Sequence, residues 1–292
     1  MDLATVTAAV AGGVGSAFMF YPLDTVLTIR QTSTNGVYSL PFTHYWRGVT
    51  VSTLFSAPAF AVYLVAYRQT KRELSAQFGA SSALTYVLSG LAAEIASSVI
   101  WTPMEVIKGH MQITHGAGVV SSLSVIRRIY QTEGYRGFFR GYGLGLAMYG
   151  PSSVCYWYIY ENAKTYFRRR HMNSIDKSAL PDSTTSYDLT TVEYSLSSFA
   201  AVTCSESVFN FFDVVRTRQQ MALSEEVRRI RPNDHTSLLT VARNLIAEAG
   251  LFRAMIKGLH IRLMYALPTG MLSMVIVETI KPDIADDDDF DI

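Results

Sequence analysis

The chain has 292 residues, of which 49% are hydrophobic and only 17% charged, and its formal net charge is +1. Because an average soluble protein has about 25% charged residues, this composition disfavours an ordinary soluble domain. A basic cluster at 168–171 stands without any nucleic-acid-binding motif, so nucleic acid is not an expected partner. The two cysteines lie in separate apolar runs, which disfavours a disulfide framework.

Charged residues are scarce in six stretches, each close to the ~20 residues that a helix needs to cross a bilayer. Ser, Thr, Gly and single charges interrupt all six, which is typical of amphipathic helices around a polar interior. In chain order, membrane helices are predicted at 4–32, 49–72, 82–113, 142–168, 190–222 and 259–281. The predicted fold class is an all-α membrane protein with six transmembrane helices; a soluble all-helical protein is the alternative.

Polar segments separate the predicted helices. Amphipathic stretches at 119–132 and 237–249 are expected to form short helices on the membrane surface. The stretch 169–189 is rich in Ser, Thr and Asp and is expected to be flexible. The first residues include neither a basic segment nor a small-residue cleavage site, so no secretory signal peptide is predicted.

One short motif occurs three times, each time after an apolar run. The copies are Pro22-Leu-Asp24-Thr-Val-Leu27, Pro103-Met-Glu105-Val-Ile-Lys108 and Phe211-Phe-Asp213-Val-Val-Arg216, followed by Gln31, Gln112 and Gln220. An acid and a base three residues apart share one face of a helix. Because an unpaired charge is expensive inside a membrane, the acid of one helix is expected to pair with the base of the next. Such breakable pairs would close one end of a cavity.

A second motif repeats in step with the first. A base and a glycine precede a proline, which follows ten residues after the glycine, at Arg47-Gly48 and Pro58, Arg140-Gly141 and Pro151, and Lys257-Gly258 and Pro268. A repeat of this kind determines the architecture of the whole chain. The register predicts three repeats, at 1–78, 79–176 and 177–292, the last with an acidic tail.

Together these motifs resemble those of the mitochondrial carrier family, over nearly the whole chain. Members form a threefold pseudosymmetric barrel and move one class of solute by alternating access. The resemblance implies a monomeric, multi-pass transporter of the mitochondrial inner membrane, although some similar proteins occupy other organelles. Its expected partners are a small-molecule solute and membrane lipid, including cardiolipin at the short surface helices. No cofactor, metal site or enzyme activity is expected, because neither a nucleophile with its base nor a metal-ligand spacing occurs.

The resemblance implies a gate on the matrix side. Its expected ion pairs are Asp24 with Lys108, Glu105 with Arg216, and Asp213 with position 27. Glutamine braces are expected beneath them, at Gln31, Gln112 and Gln220. Because position 27 is Leu, the third ion pair is expected to be missing.

The resemblance also implies a gate on the cytosolic side, in an aromatic-acid-x-x-base motif. The copies are Tyr67-Arg68-Gln-Thr-Lys71, Tyr160-Glu161-Asn-Ala-Lys164 and Val277-Glu278-Thr-Ile-Lys281. Arg68 stands where an acid belongs, so the expected pairs are Lys71 with Glu161 and Lys164 with Glu278. Two pairs on each side would open at lower cost than three, which favours a carrier that works without strict exchange.

The solute is expected to bind midway between the gates. The resemblance gives contact points at Phe55, Met148-Tyr149 and Tyr265-Ala266, with Arg262 one turn earlier. Glu94, Ser98 and Glu206 lie on the helix faces of the gate acids, because seven residues make about two turns. Ionisable residues inside membrane helices are functional candidates. The two glutamates predict a cationic or zwitterionic solute, with cation–π attraction from the aromatic residues.

Two branches of the family share further motifs with the chain. Arg262-Leu-Met-Tyr265-Ala-Leu-Pro268 resembles mitoferrins, the iron carriers, and Tyr21-Pro-Leu-Asp24-Thr resembles S-adenosylmethionine carriers. The His that binds metal in iron carriers is replaced by Ser97-Ser98, and amino acids are also open. The alternative function is a carrier-derived membrane protein with a structural or partner-binding role. The departures at Leu27, Arg68 and Phe211 favour it, whereas the polar cavity residues favour transport.

Overall fold

The computed structural model describes residues 20–32, 41–78, 83–114, 121–174, 189–268 and 271. These residues form helices and loops, without any strand, which confirms the predicted all-α fold class. The α-helices are α1 (20–32), α2 (Val49–Phe78), α3 (Ala83–Ile113), α4 (Ser122–Glu133), α5 (Tyr142–Ser174), α6 (Thr191–Met221), α7 (Glu225–Ile230), α8 (Leu238–Ala249), α9 (Leu251–Met255) and α10 (259–268). Two 3-10 helices lie at Phe42–Trp46 and Gly134–Phe139.

Four of the six predicted membrane helices correspond closely to α2, α3, α5 and α6, and the other two are described only in part. The predicted first helix is described only from residue 20, and most of the predicted last helix beyond 268 lies outside the described residues. α2 and α5 are each six residues longer than predicted, ending at Phe78 and Ser174. Neither extension contains Gly or Pro, the residues that most often end helices. The stretch from 169 that was expected to be flexible is therefore helical as far as Ser174.

The outer surface of the helices is apolar and part of their interior is polar. In the described part of the chain, Phe42–Phe78 and Leu84–Ile113 are long and apolar enough to cross a bilayer, and each contains an 18-residue stretch with a mean hydropathy of 1.7 and 1.4, respectively. On α3 the exposed side chains include Val87, Ile95 and Val99, whereas the buried ones include Thr85, Ser89, Ser98 and Thr102. This distribution is the reverse of that in a soluble protein and fits an apolar solvent outside.

The surface helices α4 and α8 pack on α3 and α6 in equivalent ways. Val125 and Ile129 of α4 join the apolar cluster of α3, and Val241 and Leu245 of α8 join that of α6. Ser237 caps α8, because its hydroxyl accepts a hydrogen bond from the backbone N–H of Thr240. These contacts position the ends of α3 and α6, where the candidate site lies.

Glycines at the second motif turn the chain into α2, α5 and α10. Gly48, Gly141 and Gly258 have φ of 86°, 75° and 75°, the left-handed region that favours glycine. Each of them directly precedes a helix. Gly48 lies close to α3, Gly141 to α6 and Gly258 to α1. The turns thereby bring three helix starts against α1, α3 and α6.

Candidate functional site

The first ion pair joins α1 to α3. Lys108 Nζ lies 2.8 Å from Asp24 Oδ2, and the two side chains are 17% and 16% exposed. Gln112 Nε2 donates a hydrogen bond of 2.8 Å to the same oxygen and one of 3.1 Å to Thr25 Oγ1. The ring centroid of Tyr21 lies 5.6 Å from the ammonium, within the range of a cation–π contact.

The second ion pair joins α3 to α6 in the same manner. Arg216 Nη2 donates to Glu105 Oε2, and Gln220 Nε2 donates to that oxygen over 3.1 Å. Gly145 of α5 makes room for the guanidinium, because a Cβ at that position would lie 3.0 Å from Arg216 Nε. The small residue in α5 therefore has a packing role beside a buried charge.

The third acid has a partner that the repeats do not predict. Asp213 Oδ2 accepts a hydrogen bond of 3.0 Å from Gln31 Nε2, and it also accepts one from Arg262 Nη1. Leu27 is buried and apolar, so it offers no charge. The ion pair with position 27 is missing, as expected, but Asp213 does have a base: Arg262, in the first turn of α10, donates to its carboxylate.

The same arginine also binds the acid two turns away on α6. Arg262 Nε donates to Glu206 Oε2, while its Nη1 donates to Asp213. The seven-residue spacing does bring both acids to one face of α6, as predicted. However, the charge of Glu206 is balanced by Arg262, so this residue alone does not support the expected attraction of a cation.

A second layer of hydrogen bonds lies at the backbone of the three glutamines. Their carbonyl oxygens accept from His110 Nε2 (Gln220, 3.2 Å), Arg218 Nε (Gln31, 3.2 Å) and His44 Nε2 (Gln112, 2.8 Å). His110 and Arg218 both lie two residues before a glutamine of the motif. The equivalent residue of α1 is Ile29, which has no side-chain donor, and the 3-10 helix provides His44 instead. Aligning the repeats could have identified two of these donors.

A buried charge cluster links α6, α8 and the end of α1. Glu248 Oε2 lies 2.8 Å from Arg218 Nη2, and Glu248 Oε1 lies 2.6 Å from Arg231 Nε. Arg231 Nη1 also donates to the carbonyl oxygen of Thr32. Burial would raise the pKa of Glu248, but hydrogen bonds and attraction from the two guanidinium groups outweigh it and lower that pKa. Because the cluster falls outside the repeated motifs, no pattern in the sequence predicts it.

The expected cytosolic gate takes a different arrangement. Glu161 Oε1 lies 3.3 Å from Lys164 Nζ of the same helix, and the Lys164 ammonium lies 4.9 Å from the ring centroid of Tyr160. Lys71 Nζ lies 4.9 Å from the ring centroid of Tyr86 on α3. The predicted pair between Lys71 and Glu161 is therefore absent, because Glu161 has a base within reach one turn along its own helix. The predicted residues Glu278 and Lys281 lie outside the described residues.

The predicted contact points occupy varied environments. Tyr149 and Tyr63 form a hydroxyl–hydroxyl hydrogen bond of 3.1 Å between α5 and α2, and Met148 beside it is half-buried. Tyr265 lies near the first ion pair, and the charges of Asp24 and Lys108 both act on its hydroxyl. Phe55 is exposed.

Two further candidates on α3 differ sharply from each other. Ser98 is buried and donates to the carbonyl oxygen of Ile95 in its own helix, so its hydroxyl is already used. Glu94 is half-buried, and within the described part of the chain its carboxylate makes no hydrogen bond or ion pair. The nearby charges that act on it are those of Arg216 and Glu105.

Comparison with known proteins gives consistent matches. The family model described as mitochondrial carrier protein matches residues 79–171 and 187–287. An uncharacterized mitochondrial carrier of Schizosaccharomyces pombe is 32% identical over 288 residues, which cover 96% of this chain and 98% of the relative. Mitochondrial substrate carrier family protein E of Dictyostelium discoideum is 27% identical over 82% of the chain and 77% of its own length. A mitochondrial glutathione transporter of Danio rerio is 26% identical over 78% of the chain and 59% of its own length.

Proposed function

The chain belongs to the mitochondrial carrier family, and from this membership we propose that it is a multi-pass transporter for a solute that carries a positive charge. Members of the family are solute transporters of the mitochondrial inner membrane, so transport across that membrane is the activity. The charge of the solute, the gates and the contact residues are the finer parts of the proposal.

The observation that carries the proposal is the carboxylate of Glu94, which has no hydrogen bond or ion pair among the residues that the structure describes. Each of the other central acids has a base, as Asp24, Glu105 and Asp213 illustrate. A half-buried carboxylate inside a membrane helix is costly to keep without a counter-charge and is a functional candidate by default. A solute with an ammonium or another cationic group would supply the missing charge.

The charge balance of the centre supports the same conclusion. We define the central cluster as the acids Asp24, Glu94, Glu105, Glu206 and Asp213 with the bases Lys108, Arg216 and Arg262. Acids exceed bases in this set, so a cation entering it is attracted, whereas a phosphate or a tricarboxylate would be repelled. The aromatic ring of Tyr265, next to the first ion pair, adds a surface suited to cations.

The ion pairs suit the role of a matrix-side gate. They connect α1, α3, α6 and α10, and each acid is also held by a glutamine. On the other side, Glu161 is satisfied within its own helix, which is compatible with a separated cytosolic end. Movement of solute would then require the three links to break while pairs form at the opposite side, as in alternating access.

Among candidate solutes, amino acids, S-adenosylmethionine and glutathione all contain an ammonium group. Glutathione enters because one similar protein is named as a glutathione transporter. The alternative of a carrier-derived protein without transport loses one of its three supporting departures, because the one at Leu27 is compensated by Arg262.

The test is uptake into cardiolipin-containing liposomes of labelled lysine, S-adenosylmethionine, glutathione and Fe²⁺, with phosphate, ATP and citrate as the anionic set. We expect uptake of a solute with an ammonium group and a loss of about tenfold in Glu94→Gln, which corresponds to about 1.4 kcal/mol of binding. Glu73→Gln, on the exposed face of α2, is the matched control and should keep the activity. Uptake of anions alone, unchanged in Glu94→Gln, would contradict the proposal.

A further inference from the structure

Arg262 differs from the other two gate bases in origin and in number of partners. Lys108 and Arg216 come from the repeated motif of α3 and α6, and the structure joins each of them to one acid of the central cluster. Arg262 comes from α10 and holds two acids, Asp213 and Glu206, with separate nitrogens of one guanidinium. One guanidinium therefore binds both the gate acid Asp213 and Glu206, the acid two turns earlier on α6 that was predicted to line the solute site.

The packing around position 27 explains why α10 can supply the base. Leu27 lies against Gly258, the residue that precedes α10, where a Cβ would be 3.3 Å from Leu27 Cδ1. Arg262 is four residues further on, one helical turn, which places its guanidinium at Asp213. Gln31 of α1 still braces Asp213, so the contact between α1 and α6 is kept although the base has moved to another helix.

A guanidinium in this position is also suited to bind a solute. It presents several N–H donors in one plane and matches a carboxylate with two parallel hydrogen bonds. Arg262 is 19% exposed, and it lies one turn before the predicted contact point Tyr265.

We propose that Arg262 takes the place of the missing base at position 27 as the third gate link, and that the carboxylate of a zwitterionic solute draws it away from Asp213 and Glu206. The second half of this proposal rests on the proposed transport of a solute with a positive charge. Binding of the solute then opens one link of the gate directly, because the gate and the solute compete for the same guanidinium.

Charge balance selects the class of solute. If an anion took Arg262, then Asp213 and Glu206 would be left as uncompensated buried charges, and if a cation took the acids, Arg262 would be left alone. A zwitterion leaves the total charge of this set unchanged, because its carboxylate binds the guanidinium while its ammonium binds one of the two released acids. A second cationic group could compensate Glu94, whose carboxylate makes no hydrogen bond or ion pair with any described residue. The class is therefore amino acids and their derivatives with at least one ammonium and one carboxylate.

The gate half is tested without any solute, in purified protein in mild detergent. Three variants are compared with the wild type: Arg262→Gln, Leu27→Lys and the double variant. We expect Arg262→Gln to lower the Tm by about 5 °C or more, and the double variant to recover most of this loss. A lysine should fit at position 27, because Lys108 packs in the same way against Gly48, at 3.2 Å. A double variant as unstable as Arg262→Gln, or an Arg262→Gln protein as stable as the wild type, would overturn the gate link.

The solute half is tested by pairing each solute with a version lacking its free carboxylate. The pairs are lysine and cadaverine, S-adenosylmethionine and its decarboxylated form, and glutathione and its diethyl ester, in which both carboxylates are blocked. In liposomes, wild-type uptake should favour the carboxylate form at least tenfold. The double variant Leu27→Lys/Arg262→Gln, with its gate restored, should lose this preference through a raised KM.

The outcomes separate this inference from the proposed function. A preference retained by the double variant, or a wild type that favours the form without the carboxylate, would overturn the solute half. If the wild type transports Fe²⁺ but no ammonium solute, the solute half fails while the proposed function stands; if it transports no cationic or zwitterionic solute at all, both fail. The Tm comparison still decides whether Arg262 is the third gate link.

Discussion

Leu27 packs against Gly258 in the way that the charged gate residues pack against their own glycines. A Cβ on Gly258 would lie 3.3 Å from Leu27 Cδ1. The two equivalent contacts are Gly48 with Lys108 and Gly141 with Arg216, each at 3.2 Å from a side-chain Cγ. The glycine of each base-glycine motif therefore packs against α3, α6 or α1. The contact with α1 is present although position 27 carries no charge.

This close approach predicts that Gly48→Ala destabilises the protein more than Gly250→Ala. Both glycines have positive φ, at 86° and 77°, which costs an alanine about 1 kcal/mol. Only at Gly48 would the new Cβ also meet neighbours, at 3.0 Å from Tyr21 Oη and 3.3 Å from Lys108 Cα, whereas nothing lies within 4 Å at Gly250. Thermal unfolding in detergent should show roughly twice the loss of stability for Gly48→Ala. Equal losses would mean that the helix start can shift away from α3.

The buried arginine cluster predicts a large effect of Glu248→Gln. Arg218 is fully buried and Arg231 nearly so, and Glu248 is the carboxylate that both contact. Removing one partner of a buried ion pair leaves uncompensated charge and costs about 3 kcal/mol. Glu225→Gln is the matched control: its 3.5 Å pair with Arg128 is more than half exposed on both sides and should contribute little. Similar Tm values for the two variants would contradict the assigned role of Glu248.

The first ion pair predicts recovery when its charges are exchanged. Lys108→Asp alone places two acids together at the end of α1, and Asp24→Lys alone places two bases there. The double variant Asp24→Lys/Lys108→Asp restores the pair, and Gln112 can rotate its amide so that Oε1, which lacks a partner in the structure, accepts from the new lysine. A double-mutant cycle on Tm should give a coupling of about 2 kcal/mol. Additive losses in the double variant would show that the two residues do not depend on each other.

The lowered pKa of Lys257 predicts that the free energy of unfolding rises with pH. Burial, followed by repulsion from Arg218 and Arg231, lowers the pKa of Lys257 to about 7; the attraction of Glu248 opposes this shift, and Arg30 adds a smaller repulsion. The unfolded chain keeps the proton up to a pH near the ordinary value of 10.5, so it binds more protons than the folded state between these values. Stability should increase over that range.

The measurement for Lys257 is Tm from pH 6.5 to 9.5 in the wild type and in Lys257→Met. The variant lacks the titrating group, so its Tm should rise less than that of the wild type over this range. Parallel curves for the two proteins would show that other groups cause the rise.

The repeats allowed much of the site to be predicted, because symmetry copies each contact. From the motif and the resemblance to the carrier family, Lys108 could be assigned to Asp24 and Gln112 to a position beneath the ion pairs, and the structure brings these groups together. Arg262 could not be assigned to Asp213, since it lies outside the motif and acts only because position 27 is apolar.

The opposite side shows a second limit of prediction from sequence. Lys164 has an acid three residues back on its own helix and an expected partner on another helix. Spacing along the chain makes the local pair possible, but which partner is bound depends on the separation of the helix ends. That separation is a property of the conformation, which no repeat pattern reports.

Glu94 is the residue on which the account of function depends, and ligand-induced thermal stabilisation tests it most directly. The wild type and Glu94→Gln are unfolded in mild detergent with lysine, S-adenosylmethionine, glutathione, phosphate, ATP or citrate, because a ligand that binds only the folded state raises the Tm. We expect an ammonium-bearing solute to raise the Tm of the wild type, and a much smaller shift in Glu94→Gln. Stabilisation by phosphate, ATP or citrate alone, equal in both proteins, would contradict the account.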